Sequence, residues 1–274
     1  MQGLLYRLRT ELHVSQEEWK QFFITLAVLA VLVTLPLAIT FPGKGILRVN
    51  VDLGLPYLMK AFLLLGSALL LHVLVQKMFA LYLGYRAQYR FWVNGLLIGV
   101  FFAFFTLGFP AKEVYVADIG WLSVYLAFFV PLSGTVDLFH DEKMRLGRFR
   151  YSANMKDLAR VAFSGVLANI FALIILQAAF LTVKGTVIGD ILINFIAANM
   201  LLAFFSMLPL PSCDGLSVFR SSRIGYVFLL AFVIIFLGLL TLGLTVQGMG
   251  VFSLIAATLL ASLVAYLYNK TVES

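Results

Sequence analysis

The chain has little charge and almost no cysteine. Of its 274 residues, 12% are charged and 62% are hydrophobic, with three histidines and one cysteine, Cys213. Soluble domains carry about 25% charged and about 45–50% apolar residues, so this chain has too few polar side chains to cover a water-facing surface. A single cysteine also excludes a disulfide-stabilised module. The composition predicts an integral, multi-pass membrane protein.

Acidic residues are scarcer than basic ones, with 13 Asp and Glu against 20 Lys and Arg and a formal net charge of +7. In a soluble protein this excess would suggest a nucleic-acid partner. In a membrane protein, basic loops that face the cytoplasm and anionic lipid explain it without further assumptions. The lipid bilayer is therefore the expected partner, and no nucleic acid is expected.

Eight apolar stretches, bounded by proline, glycine or charge, are candidate membrane spans. They cover residues 22–41, 56–83, 95–109, 119–136, 161–182, 188–208, 224–246 and 251–268. A helix needs about 20 apolar residues to cross a bilayer, so 95–109 is short. With 119–136, which contains Pro131 and Gly134, it forms either two spans or a re-entrant hairpin. The sequence predicts an all-α polytopic protein with six to eight transmembrane helices.

The distribution of basic residues predicts the orientation. The N-terminus, residues 84–94, 137–160 and 209–223, and the C-terminus together hold 14 of the 20 Lys and Arg, and the opposite loops hold four. Because cytoplasmic loops carry the positive excess, both termini are predicted to be cytoplasmic.

The predicted organisation is one membrane domain, residues 22–268, with its core at 56–220. Residues 1–21 form a cytoplasmic segment, either an interfacial helix or a polar tail. A basic cytoplasmic loop covers 137–160. Residues 85–93 alternate polar and aromatic side chains, which is typical of a strand or a short β-hairpin at the membrane surface.

Three segments resemble a known family in both pattern and order. They are LLHVLVQKMFALYLGYRAQYRFWVNGLLIG at 70–99, SGVLAN at 164–169 and NMLLAFFSMLPLPSCDG at 199–215. Together, over roughly residues 60 to 220, they resemble the site-2 proteases, the intramembrane zinc metallopeptidases of peptidase family M50. The resemblance implies a site-2-protease-like helical core.

The family's HExxH motif places two histidines on one helix face to bind zinc, and its glutamate activates water as a general base. Here His72 matches the first histidine, Val73 stands at the general-base position and Gln76 replaces the second histidine. Asp214 matches the third ligand, with one extra residue between Pro211 and Asp214. By resemblance, His72, Gln76 and Asp214 mark a relict metal site. Because valine cannot accept a proton, no catalytic residue is predicted.

The resemblance also suggests residues that once lined a substrate groove, although Val166 and Ser206 stand where the family has proline and asparagine. These groove candidates are Asn169, Asn199, Ser206, Tyr89 and Phe91. No cofactor is expected. The alternative, an active zinc-dependent intramembrane metalloprotease with an atypical site, would have at most His72, Asp214 and Cys213 as ligands.

Plain structural roles are also open for these side chains. Gln76, one turn after His72, can be its hydrogen-bond partner within the bundle. Asp214 either serves a function or ties the turn after Pro209 through backbone N–H groups. Lys77 is expected to extend its ammonium group to the membrane interface.

The sequence thus predicts a catalytically inactive site-2-protease-like protein that binds transmembrane segments or a membrane partner as an adaptor, chaperone or complex subunit. Residues 85–93 would offer a strand edge to a client. A transporter or channel is a weaker third class, because Lys60 and Lys77 are the only basic side chains inside the predicted spans.

Overall fold

The computed structural model describes residues 12, 14–40, 48–49, 51–106, 135–140, 154–244 and 246–273. Its helices are α1 Gln16–Ala38, α2 Val51–Tyr82, α3 Val93–Thr106, α4 Met155–Val183, α5 Val187–Ser206, α6 Asp214–Ser221, α7 Arg223–Leu242 and α8 Met249–Glu273. Its strands are β1 Ile39–Thr40, β2 Arg48–Val49, β3 Tyr85–Arg90 and β4 Thr135–His140.

Five helices among the described residues are long and apolar enough to cross a membrane, with mean hydropathies of 2.0 to 2.7. They are Gly54–Tyr82 within α2, Met155–Val183, Val187–Ser206, Arg223–Leu242 and Met249–Thr271. This confirms a mostly helical, multi-pass membrane protein. The predicted number of six to eight includes the span at 119–136, most of which lies outside the described residues, so the number of spans stays a prediction. Helix α1, which overlaps the predicted span 22–41 and begins with charged residues, is not one of the five.

Several boundaries differ from the predicted spans. Helix α4 begins six residues before the predicted 161, because the Asn154 side chain caps its N-terminus by accepting a hydrogen bond from the Lys156 N–H. Helix α3 has 14 residues, too few to span. The short helix α6 was not predicted, since eight residues after a proline-rich turn carry little periodic signal. Most of 119–136, and residues 1–11 and 141–153 of the terminal segment and basic loop, lie outside the described residues.

The predicted β-structure is present, but its pairing differs. Strand β3 pairs antiparallel with β4, from Tyr85 opposite His140 to Arg90 opposite Thr135. Of the two alternatives for 85–93, the strand is therefore confirmed and the hairpin within the segment is not, because the partner strand comes from 135–140, where the sequence predicts the end of a span and the start of the basic loop. Alternation of side chains predicts a strand, but it says nothing about a partner distant in sequence.

Helix α5 lies between two hydrophobic cores. On one side, α4, α5, α7 and α8 pack around residues such as Ile170, Ile196 and Phe236. On the other side, α1, α2, α5 and the sheet pack around Leu65 and Tyr89. Strand β3 thus lies against the helices, and the loop after α5 leads back to the middle of α2.

Candidate functional site

Helix α2 presents two pairs of residues on neighbouring faces, because residues four apart lie on the same side of a helix. His72 and Gln76 face α4 and the start of α6. Val73 and Lys77 face α1 and β3, where they line one small cavity with Glu18 and Tyr89. The polar environment of α2 is therefore divided between two sites.

The His72 ring binds one partner through each nitrogen. Its Nε2 lies 2.8 Å from Asp214 Oδ2, and its Nδ1 lies 3.2 Å from Asn169 Nδ2. All three residues are buried. Since the Asn169 amide donates to Nδ1, the ring proton lies on Nε2 and is donated to the Asp214 carboxylate.

Gln76 completes this group, here called the His72 cluster: His72, Gln76, Asn169 and Asp214. The Gln76 Nε2 donates to Asp214 Oδ2 at 3.0 Å and to the Ala162 carbonyl oxygen at 3.2 Å. It also lies 3.1 Å from His72 Nε2, but both nitrogens donate to Asp214 Oδ2, so the two are neighbours and do not bond to each other. Both amide hydrogens of Gln76 therefore have acceptors, and Asp214 Oδ2 receives two donors.

Two glycines bring the segments of the cluster together. A Cβ atom on Gly165 would lie 2.6 Å from His72 Nε2, so only glycine lets the imidazole approach α4. A Cβ atom on Gly215 would lie 2.1 Å from the Met207 carbonyl oxygen, so glycine is also required where the loop after α5 closes on α6. This closure puts Asp214, the first residue of α6, beside α2.

The donor set of the His72 cluster does not fit a catalytic zinc site, which normally has three protein ligands and a water. The amide NH₂ of Gln76 points at Asp214 and has no lone pair to offer a metal. Val73 is buried in the apolar core of α1, α2 and α5. In the described part of the chain, no three His, Cys, Asp or Glu residues form a group that could hold a metal ion.

Cys213, a conceivable third ligand, is buried directly before α6. Burial, and secondarily the Asp214 carboxylate, raises the pKa of the Cys213 thiol to about 12. Because the thiolate is the form that binds metals, Cys213 would have to lose this proton before it could join His72 and Asp214 as a ligand.

A second buried group, here called the Glu18 cluster, consists of Glu18, Lys77 and the backbone N–H of Tyr89. Glu18 Oε1 lies 2.6 Å from Lys77 Nζ and accepts the Tyr89 N–H at 2.8 Å. Glu18 Oε2 accepts the Ser15 N–H, and the Glu18 N–H donates to Ser15 Oγ, which forms a capping box at the start of α1. The Lys77 ammonium group is therefore buried in an ion pair and not exposed to solvent.

Sequence reasoning missed Glu18. The pattern Ser15-x-x-Glu18 signals a helix start, and this signal could have been found. The pairing of Glu18 with Lys77 could not, because it depends on how α1 packs against α2 and β3.

The structure brings one of the five groove candidates to the His72 cluster, namely Asn169. Asn199 and Ser206 donate to carbonyl groups of their own helix, at Phe195 and Ala203. The Tyr89 hydroxyl donates to Thr25 Oγ1, and burial raises the pKa of this phenol.

The edge of β3 that faces α1 is occupied. Its Tyr89 N–H binds Glu18, and the Phe91 N–H donates to Gln21 Oε1 at 3.4 Å. The opposite edge pairs with β4. An incoming strand would therefore have to displace the side chains of α1 from β3.

Comparison of the chain with protein families, with curated proteins and with solved structures finds no match.

Proposed function

We propose that this chain is a site-2-protease-like membrane protein that has lost peptidase activity and binds a transmembrane segment of a partner protein. Such a protein would act as an adaptor, a chaperone or a subunit of a membrane complex. The proposal includes the site-2-protease-like core and, from the distribution of basic residues, cytoplasmic N- and C-termini.

One observation carries the proposal. Positions 72, 76 and 214, which match the three metal-ligand positions of the family, meet within 3.1 Å of one another in the folded chain. Asp214 is 138 or more positions from the other two residues in sequence, and yet it meets them in the fold. This convergence supports a common origin with the family's metal site. His72 and Gln76 both donate to the Asp214 carboxylate, as expected of a retained fold whose chemistry has been lost.

The residue at the general-base position supports the absence of catalysis. Val73 is buried against the residues of α1 and β3 and has no acid–base function. Loss of a general base alone lowers a rate by about 10²–10⁴-fold. What such a fold retains is the ability to pack transmembrane helices, and this is the activity we assign to it.

An extended client segment could use the sheet only after a rearrangement. Pairing with β3 on the side of α1 requires Glu18 and Gln21 to release the Tyr89 and Phe91 N–H groups. A helical client that packs against the exposed faces of the spanning helices needs no such step. The proposal therefore favours recognition of a helix over strand addition.

Restoring the lost side chains tests the origin of the site. The double variant Val73→Glu, Gln76→His supplies a third ligand and a general base, and we expect it to bind one zinc per chain. The added variant Asp214→Ala should abolish that zinc. If the restored chain folds but takes up no zinc, positions 72, 76 and 214 are not a relict metal site.

Purification from native membranes after cross-linking tests the role. We expect an intact membrane protein to be recovered with the chain in equal yield from wild type and from the His72→Ala variant. The alternative, an active metalloprotease, predicts cleaved fragments that disappear in the His72→Ala variant.

A further inference from the structure

A second cavity lies outside both buried clusters, where β3 ends and α3 begins. Its volume is about 360 Å³, and its walls include Arg90, Trp92, Asn94, Asp137 of β4 and Ser212. Ser212 has a φ of 58°, a left-handed conformation that is uncommon for a residue other than glycine. Backbone conformations of this kind occur preferentially at functional sites.

The cavity carries one charge of each sign. Arg90 Nη1 lies 3.3 Å from Asp137 Oδ2, and the two side chains are 74% and 38% exposed. A pair this exposed contributes little to stability, so a ligand can separate it at little cost. The Lys77–Glu18 pair, 5% exposed on both sides, has no such freedom. Arg90 and Asp137 are thus available to a ligand that itself carries both charges.

The start of α3 adds hydrogen-bond donors and a fixed aromatic wall. The first N–H groups of a helix have no partner within it and form an electropositive end. The Trp92 ring lies directly over Gly95, where a Cβ atom would be 2.2 Å from the ring. Glycine at position 95 therefore allows the indole to lie against the N-terminus of α3.

The cavity lies beside the point where the charged start of α1 gives way to its apolar part. The Phe91 N–H binds Gln21 of α1, and one residue earlier in α1 the exposed Lys20 pairs with the exposed Glu17. Exposed charges mark the water side, and the apolar part of α1 follows directly. Tryptophan, here Trp92, is the residue enriched at this level of the bilayer.

An apolar track leads away from the cavity along α3. Leu97, Ile98 and Phe101 are 62%, 43% and 65% exposed and follow Asn94 on the same helix. A ligand with a charged end in the cavity and hydrocarbon chains along this track would match both surfaces.

We propose that this cavity binds the headgroup of a zwitterionic phospholipid. The phosphate contacts the Arg90 guanidinium and the N-terminal N–H groups of α3, and the ammonium contacts Asp137 beside Trp92. The acyl chains lie along Leu97, Ile98 and Phe101. This inference stands on residues outside the His72 cluster and does not depend on the proposed function.

Titration of the purified full-length chain with dihexanoyl phosphatidylethanolamine tests the proposal, with tryptophan emission as the readout and Trp92→Phe as the signal blank. We expect saturable binding. Arg90→Gln should raise the Kd at least about tenfold, as expected for lost charge-assisted hydrogen bonds. Arg160→Gln is the matched control, because Arg160 forms a comparably exposed pair with Asp157 at 3.2 Å, and its Kd should equal that of the wild type.

Dihexanoyl phosphatidylglycerol has the phosphate but no ammonium group, so it separates the contact of the phosphate with Arg90 from the contact of the ammonium with Asp137. Arg90→Gln should weaken the binding of both lipids, whereas Asp137→Asn should weaken only that of phosphatidylethanolamine. Unchanged Kd values in both variants would overturn the proposal. Binding of free phosphoethanolamine as tightly as the lipid would also overturn it, because the acyl chains would then contribute nothing. Saturable binding of an extended peptide, with no binding of the lipid, would overturn it as well. The thermal unfolding midpoint of each variant shows that it is folded.

Discussion

The two buried clusters use adjacent residues of α2, Gln76 and Lys77, and they compensate buried charge in different ways. In the Glu18 cluster, a carboxylate and an ammonium group compensate each other at 2.6 Å. In the His72 cluster, one carboxylate is surrounded by the N–H groups of an imidazole and an amide. The comparison teaches that the positions proposed as relict metal ligands form a hydrogen-bond network, while the neighbouring face of α2 holds α1 and β3 by an ion pair.

The largest expected effect is on the Glu18 cluster. Glu18→Ala removes the carboxylate that pairs with the buried Lys77 ammonium and also removes the acceptor of the Tyr89 N–H. We expect the free energy of unfolding to fall by about 3–5 kcal/mol, measured by denaturant titration in bicelles.

Glu17→Ala is the matched control, because Glu17 pairs with Lys20 at 3.0 Å but both side chains are about two-thirds exposed. Its effect should be below about 1 kcal/mol. If Glu18→Ala and Glu17→Ala destabilise equally, the Glu18 cluster does not hold α1 in place.

Removal of the carboxylate from the His72 cluster is expected to cost somewhat less. Asp214→Ala leaves two buried donors, His72 Nε2–H and one N–H of Gln76, without their acceptor. Each unsatisfied buried donor costs about 1–3 kcal/mol. For the two donors together, we expect the free energy of unfolding to fall by about 2–4 kcal/mol in the same titration, in the lower part of the summed range. Asp190→Ala, at an exposed carboxylate in the first turn of α5, should change stability by less than about 1 kcal/mol. An equal effect of the two variants would contradict the network.

A steric probe sharpens the position of His72. Gly165→Ala places a Cβ atom 2.6 Å from His72 Nε2, so we expect a loss of about 1–3 kcal/mol from overpacking. Gly238→Ala, in α7 with no atom within 4 Å of the new Cβ, should instead stabilise the chain by about 0.5–1 kcal/mol through helix propensity. A destabilising Gly165→Ala together with a stabilising Gly238→Ala would support the close approach of His72 to α4. Stabilisation by both substitutions would refute it.

The smallest effect concerns Cys213 beside the His72 cluster. Burial raises the pKa of its thiol to about 12, so at pH 8 almost none of the reactive thiolate is present in the folded chain. N-ethylmaleimide should therefore modify Cys213 slowly in the native chain and rapidly after denaturation. Rapid native labelling at pH 8 would show that the loop before α6 is open.

The sequence predicts the His72 cluster better than the Glu18 cluster, for a physical reason. His72 and Gln76 share a helix face at a spacing of four, and the order of segments resembling a known family puts Asp214 in the same place. Asn169 is expected near the groove, but its bond to His72 Nδ1 depends on how closely α4 approaches at Gly165. Glu18 binds Lys77, and β3 pairs with β4, only through long-range packing that no local pattern encodes.

Metal analysis of the purified wild-type chain tests the central claim most directly. The account predicts only trace zinc, in an amount that neither His72→Ala nor Asp214→Ala changes, because the side chains at the ligand positions bind one another. One zinc per chain in the wild type, lost in both variants, would contradict the account and would favour an active metalloprotease with an atypical site.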